Sequence, residues 1–172
     1  MKFSLSQDFP AGLDRLWAAF GRPDYPEQKY RALGSTDIRM LRFDVAADRI
    51  EVELERKAPV AWETIPAWAR RLMQREQTMR HRSRWRRIGP ARIEAELDIA
   101  PLGLPVTARG SGVLVELTPG RTHMTLDFQV ESALPLLGAA VARLYAAQIR
   151  EALRADHAFT LRYLDATARG SA

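Results

Sequence analysis

Apolar and polar residues alternate over long stretches of this chain, and in a few places the alternation gives way to the three-to-four spacing of a helix. Phe3, Leu5 and Phe9 alternate with Lys2, Ser4, Ser6 and Asp8, which predicts a half-buried strand closed by Pro10. From 11 the spacing turns helical, with Leu13, Leu16, Trp17 and Phe20 on one face and Gly21 as the stop. A second short helix is expected over 25–33, ended by Gly34. Strands follow over 38–45 and 49–57, the second marked by Ile50, Val52 and Leu54 between Glu51, Glu53 and Glu55. Beyond an insert at 58–75, alternation returns in MRHRSRWRRIG (79–89) and again where Ile93, Ala95, Leu97 and Ile99 separate Glu94, Glu96 and Asp98. Val113, Val115 and Leu117 then lead through Pro119-Gly120, a hairpin signal, into Met124, Leu126, Phe128 and Val130. The pattern predicts about seven antiparallel strands.

The chain closes on a helix expected over 135–164, with Pro135 in its first turn and a stripe of Leu137, Val141, Leu144, Tyr145, Gln148, Ala152 and Phe159. At about 1.5 Å per residue it is roughly 45 Å long. A one-sided helix of that length needs a wide apolar surface, and the sheet supplies one. The fold class is therefore α+β.

Charge changes the picture at one strand. In 79–89, Arg80, Arg82, Arg84 and Arg86 share one face, while His81, Ser83, Trp85 and Arg87 share the other. Paired as a meander, this strand lies between Glu51, Glu53 and Glu55 on one side and Glu94, Glu96 and Asp98 on the other. Six acids then flank the arginines, and a solvated salt-bridge ladder is the expectation. A nucleic-acid face would want unbalanced positive charge with exposed aromatics between the charges, and Trp85 points to the opposite face, so nucleic acid is not the expected partner.

Composition narrows the rest. The 172 residues, 47% hydrophobic and 27% charged, suit one globular domain, expected over 1–166 with 167–172 a disordered tail. There is no cysteine, and the three histidines lie far apart, so neither a metal nor a cofactor is expected. The longest weakly polar run, 133–142, is interrupted by Pro135 and is far short of the roughly 20 residues of a membrane span. With no secretory signal at the start, the expected location is cytoplasmic. The net charge of +5 comes almost wholly from arginine.

The order strand, two helices, about six strands and a long closing helix resembles the helix-grip fold of the START-like superfamily (SRPBCC, Bet v-type), which includes plant pathogenesis-related allergens, steroid carriers and polyketide cyclases. Within it the chain resembles a bacterial family catalogued as domain of unknown function 2505. The resemblance rests on FPAGLDRLWAAFGRPDY, IPAWARRLMQREQTMRHRSRW and GSGVLVELTPGRTHMTLDFQVESALPLLGAAVARLYAAQIREAL, in that order, over 9–153. It implies a curved antiparallel sheet wrapped around the last helix, with an apolar cavity between them that admits a lipid, sterol, quinone or polyketide-like molecule. It supplies no catalytic residues.

Inward strand positions and the helix stripe give the expected cavity lining: Ile38, Met40, Ile50, Val52, Leu54, Trp85, Leu97, Met124, Leu126, Phe128, Leu137, Val141, Leu144, Tyr145 and Gln148. The insert carries Trp62, Ile65, Trp68, Leu72 and Met73, which would serve as a lid at the cavity mouth or a transient membrane contact, or else as a plug that completes the core. No nucleophile elbow, zinc motif or phosphate loop is present, and no catalytic residue is assigned. Three functions follow: a binder of hydrophobic small molecules; a cyclase- or dehydratase-like enzyme in which Tyr145 or His157 moves a proton in the same cavity; or a scaffold whose core is filled.

Overall fold

The computed structural model describes residues 1–60, 62–71 and 74–169. In chain order these form β1 (Lys2–Phe9), α1 (Leu13–Phe20), α2 (Tyr25–Ala32), β2 (Thr36–Val45), β3 (Arg49–Pro59), a 3-10 turn (Trp62–Thr64), α3 (Ala67–Arg70), β4 (Glu76–Arg87), β5 (Arg92–Pro101), β6 (Val106–Thr118), β7 (Arg121–Ser132) and α4 (Gly138–Arg169). The strands make one curved antiparallel sheet in the order β1-β7-β6-β5-β4-β3-β2. Five of its six pairings join neighbours in sequence, as a meander of hairpins does, and only β1 crosses over to join β7. Gly120, at φ 79, makes the tight turn between β6 and β7 that the Pro-Gly pair signals.

Alternation governs the sheet faces. Ile50, Val52 and Leu54 of β3, Ile93, Ala95 and Leu97 of β5, and Met124, Leu126, Phe128 and Val130 of β7 are buried. All but Ala95 form one core with Leu13, Leu16 and Phe20 of α1, Tyr25 and Tyr30 of α2, and Val141, Tyr145, Ile149, Phe159 and Tyr163 of α4. Helix α1 has no capping side chain of its own, and the Glu116 carboxylate of β6 takes that part, accepting from Leu13 N at 2.9 Å.

The opposite face carries the arginine ladder. Arg80 Nη2 is 2.5 Å from Glu55 Oε1, Arg82 Nη2 is 3.1 Å from Glu53 Oε1, and Arg84 reaches both Glu51 (3.2 Å) and Glu96 (3.1 Å). Arg39 and Arg42 of β2 close on Glu55 and Glu51 from the other side. Arg80, Arg82 and Arg84 therefore meet acids in their own sheet, in the register that alternation predicts, while Arg86 stands between Arg49 on β3 and Glu94 on β5. Hydrogen bonds from Arg80 and Arg39 hold the Glu55 carboxyl below the usual carboxylate range.

Both boundaries of the closing helix differ from expectation. The closing helix begins at Gly138 rather than 135, because Leu136 takes a left-handed conformation (φ 62) that no α-helix accommodates. It also runs on to Arg169, so 167–169, expected as tail, are helical. Among the described residues no helix is long and apolar enough to cross a membrane.

Candidate functional site

A cavity opens between the sheet, α1 and α2, and the later half of α4. Its sheet wall is largely apolar, with Ile50 and Val52 of β3, Trp85 of β4, Leu97 of β5, and Met124, Leu126 and Phe128 of β7. These are seven of the residues expected there. Helix α4 contributes Leu153, Asp156, His157 and Thr160, and the two short helices contribute Phe20, Tyr25, Pro26, Lys29 and Tyr30. The free volume is about 70 Å³, room for several waters, within an envelope of about 790 Å³ that includes the open mouth.

The remaining expected lining residues lie elsewhere. Met40 stands opposite inward-facing Leu54, but β2 is the edge strand with no strand beyond it, and the side chain is left exposed. Ile38 packs against the core without lining the cavity, and Leu54 is wholly buried in the core. Leu137 precedes the helix and is exposed. Val141, Leu144, Tyr145 and Gln148 do not line the cavity either. This first half of α4 lies in packed core, with Val141, Tyr145 and Ile149 in the same cluster as Val130, Ala108 and Ile65. Two polar atoms are stranded there, Tyr145 Oη and Gln148 Nε2, both buried without a partner among the described residues. Burial pushes the Tyr145 hydroxyl up to about 12.

The expected lid is also displaced. The cavity takes its β3 residues from the start of that strand, whereas the insert follows the strand's far end at Pro59. Neither Trp62, Ile65 nor Trp68 lines it. Ile65 is fully buried in the core, so this segment acts there as a plug, while Trp62 is half-buried beneath Arg75 and Trp68 is exposed. Leu72 and Met73 lie outside the described residues.

One end of the cavity is polar. Lys29 Nζ donates to Asp156 Oδ2 at 3.0 Å, and the ammonium also sits 5.0 Å from the Tyr30 ring centroid and 5.5 Å from that of Tyr25. Thr160 Oγ1 donates to the Asp156 carbonyl (2.9 Å), which leaves its oxygen to accept from the Tyr25 hydroxyl at 2.7 Å. Burial by itself would lower the Lys29 pKa, but the Asp156 carboxylate and the two tyrosines more than offset it, and the net direction is upward. Lys29 is therefore charged. Burial drives the Tyr25 hydroxyl upward as well, so it stays a neutral donor.

His81 stands beside this pair, with its ring edge-on to Tyr30 at 5.6 Å. Its ring makes no hydrogen bond to protein among the described residues. Burial, then the charges of Lys29 and Arg56, press its imidazole well below 6.5, so it is neutral at physiological pH. Periodicity put His81 on the inward face but gave no reason to choose it; Lys29, Asp156 and Thr160 were missed because α2 and α4 meet only in the tertiary fold. His157, considered as a proton carrier, lines the cavity but bonds through Nε2 to the Asp8 carbonyl (2.8 Å). Among the described residues no three His, Asp or Glu side chains are grouped to hold a metal ion.

A sheet curved about a long terminal helix, with two short helices after the first strand and a cavity between the layers, defines a START-like helix-grip domain. The chain belongs to the family described as protein of unknown function (DUF2505), whose model matches residues 4–164. No curated protein matches it. Among solved structures it is similar in fold to TTHA0849 from Thermus thermophilus, with a TM-score of 0.62, 12% identity, and coverage of 97% of this chain and 99% of that one. A START superfamily protein from Mycobacterium smegmatis gives a TM-score of 0.55 at 14% identity, covering 95% and 98%. A dicamba monooxygenase bound to 3,6-dichlorosalicylic acid gives 0.59 at 13% identity; 98% of this chain is covered, but only 50% of that one.

Proposed function

We propose that the protein binds a hydrophobic small molecule in this cavity and stores, carries or senses it. The observation that carries the reading is the continuous apolar wall from β3 across to β7, facing a gap that the protein's own side chains leave open. The small free volume favours a compact guest of one or two rings; a sterol or long acyl chain would require side chains to move. Native mass spectrometry of protein purified from its own host, together with fluorescence titration by N-phenyl-1-naphthylamine, tests this. A co-purifying small-molecule mass, or saturable one-to-one probe binding, is expected. Finding neither would leave the scaffold with a filled core.

A second reading, a cyclase- or dehydratase-like enzyme in the same cavity, is favoured by one feature, the neutral and unbonded imidazole of His81 beside the charged Lys29. His81, rather than Tyr145 or His157, would be the proton carrier. His81→Gln should abolish turnover of a polyketide-like substrate if this holds, and should leave binding within a few-fold if the protein is a carrier.

A further inference from the structure

Resting on that reading of the cavity, we infer that its ligand is an organic acid, a compact apolar body bearing one carboxylate or phenolate oxygen, with the anionic head held at the Lys29–His81 end. Behind or along the cavity wall stand two cations, Lys29 and Arg56, and one anion, Asp156. Lys29 is answered by Asp156. Arg56 is not answered by any acid among the described residues: its Nη1 donates to the neutral Ser35 Oγ at 2.8 Å, and its Nε is buried with no partner there. Only 9% of Arg56 is exposed, so its charge is largely removed from water.

This uncompensated charge lies against the cavity. The Arg56 guanidinium stacks 4.3 Å from the Tyr30 ring centroid, and Tyr30 in turn lines the cavity beside Lys29 and His81. A buried region whose charged groups, Lys29, Arg56 and Asp156, sum to +1 is completed by one monoanion. Its donors suit an oxyanion. The Lys29 ammonium has three N–H groups, of which Asp156 takes one, and neutral His81 offers a ring N–H with no protein acceptor among the described residues. A neutral alcohol or ketone would use the His81 donor but leave the surplus charge unanswered. A dianion would overshoot it and meet Asp156.

Matched ligands distinguish an anion site from a merely apolar one. The probes are 2-naphthoate and 2-naphthylmethanol, alike in size and apolar surface, titrated by isothermal calorimetry at neutral pH. The acid is expected to bind about ten-fold more tightly. Asp156→Asn, which removes the anion competing for Lys29, should tighten 2-naphthoate by about three-fold or more relative to 2-naphthylmethanol. The double variant Lys29→Met/Asp156→Leu should bring the acid down to the alcohol's affinity. Equal affinities in the native protein, or an Asp156→Asn variant that does not favour the acid, overturn the inference while leaving an apolar binding cavity intact. Binding of neither probe overturns the reading of the cavity itself. Should either variant melt below the working temperature, the comparison of acid with alcohol on the native protein still decides.

Discussion

The ring of Phe128 on β7 lies so flat across Gly110, its cross-strand partner on β6, that a Cβ at that glycine would come within 2.6 Å of the ring. Glycine at 110 thus lets the ring spread along the sheet and form part of the cavity wall. Gly112 does the same for Leu126, whose Cδ2 would be 2.9 Å away. Gly110→Ala should overpack this layer and cost about 1–3 kcal/mol in urea unfolding. Gly110→Ala/Phe128→Leu should recover most of that loss; an equal loss in the double variant would place the strain in the backbone instead.

The Lys29–Asp156 bond ties α2 to α4 across the polar end of the cavity. Both side chains are mostly shielded, at 14% and 29% exposed, so the pair should couple more strongly than a surface bridge. A double-mutant cycle with Lys29→Met and Asp156→Leu is expected to give about 1–3 kcal/mol of coupling, with the double variant more stable than Lys29→Met alone. Additive losses would contradict it.

The arginine ladder is structural and open to solvent, and each of its pairs should contribute modestly. Arg82→Glu sets a third acid against Glu53 and Asp98, its neighbours on β3 and β5. It should lower stability by about 1 kcal/mol at low salt and by less as salt screens the repulsion. Restoring the pair in reverse, with Arg82→Glu/Glu53→Arg, should regain much of the loss. Denaturation midpoints across a salt series check both outcomes.

Folding holds His81 below its ordinary 6.5, which has a definite sign in stability against pH. Above 6.5 the imidazole is neutral in both states and its contribution is complete. As pH falls below 6.5 the unfolded chain takes up a proton that the folded protein refuses, so stability declines until the folded pKa is passed. His81→Phe should flatten this part of the profile relative to the native protein. Parallel profiles would show that the ring is not held neutral. The lowered pKa of Glu55 acts in the same direction at more acidic pH, its contribution being lost as pH falls below 4.5.

Whatever depends on local periodicity, and on which residues must oppose one another, is legible in the chain. The order from β2 to β7 follows from pairing strands that are neighbours in sequence, whereas the place of β1 beside β7 does not. The salt-bridge ladder follows from Glu51, Glu53 and Glu55 falling beside Arg84, Arg82 and Arg80 once two alternating strands pair in register. The inward positions on central strands, from Ile50 to Phe128, follow from the same parity, because a one-residue slip would turn every apolar side chain to solvent. At Met40 parity held without burying the side chain, since the edge strand has no neighbour beyond it. Where the sheet and the closing helix stand apart is set by long-range packing. The stripe of α4 is equally apolar along its first half, but Val141 and Tyr145 there belong to packed core, whereas α1 and α2 hold open the space beside Leu153, Asp156 and Thr160. Which part of an apolar surface is packed and which is left open depends on elements more than a hundred residues apart, as Lys29 and Asp156 are, and periodicity carries no information at that range.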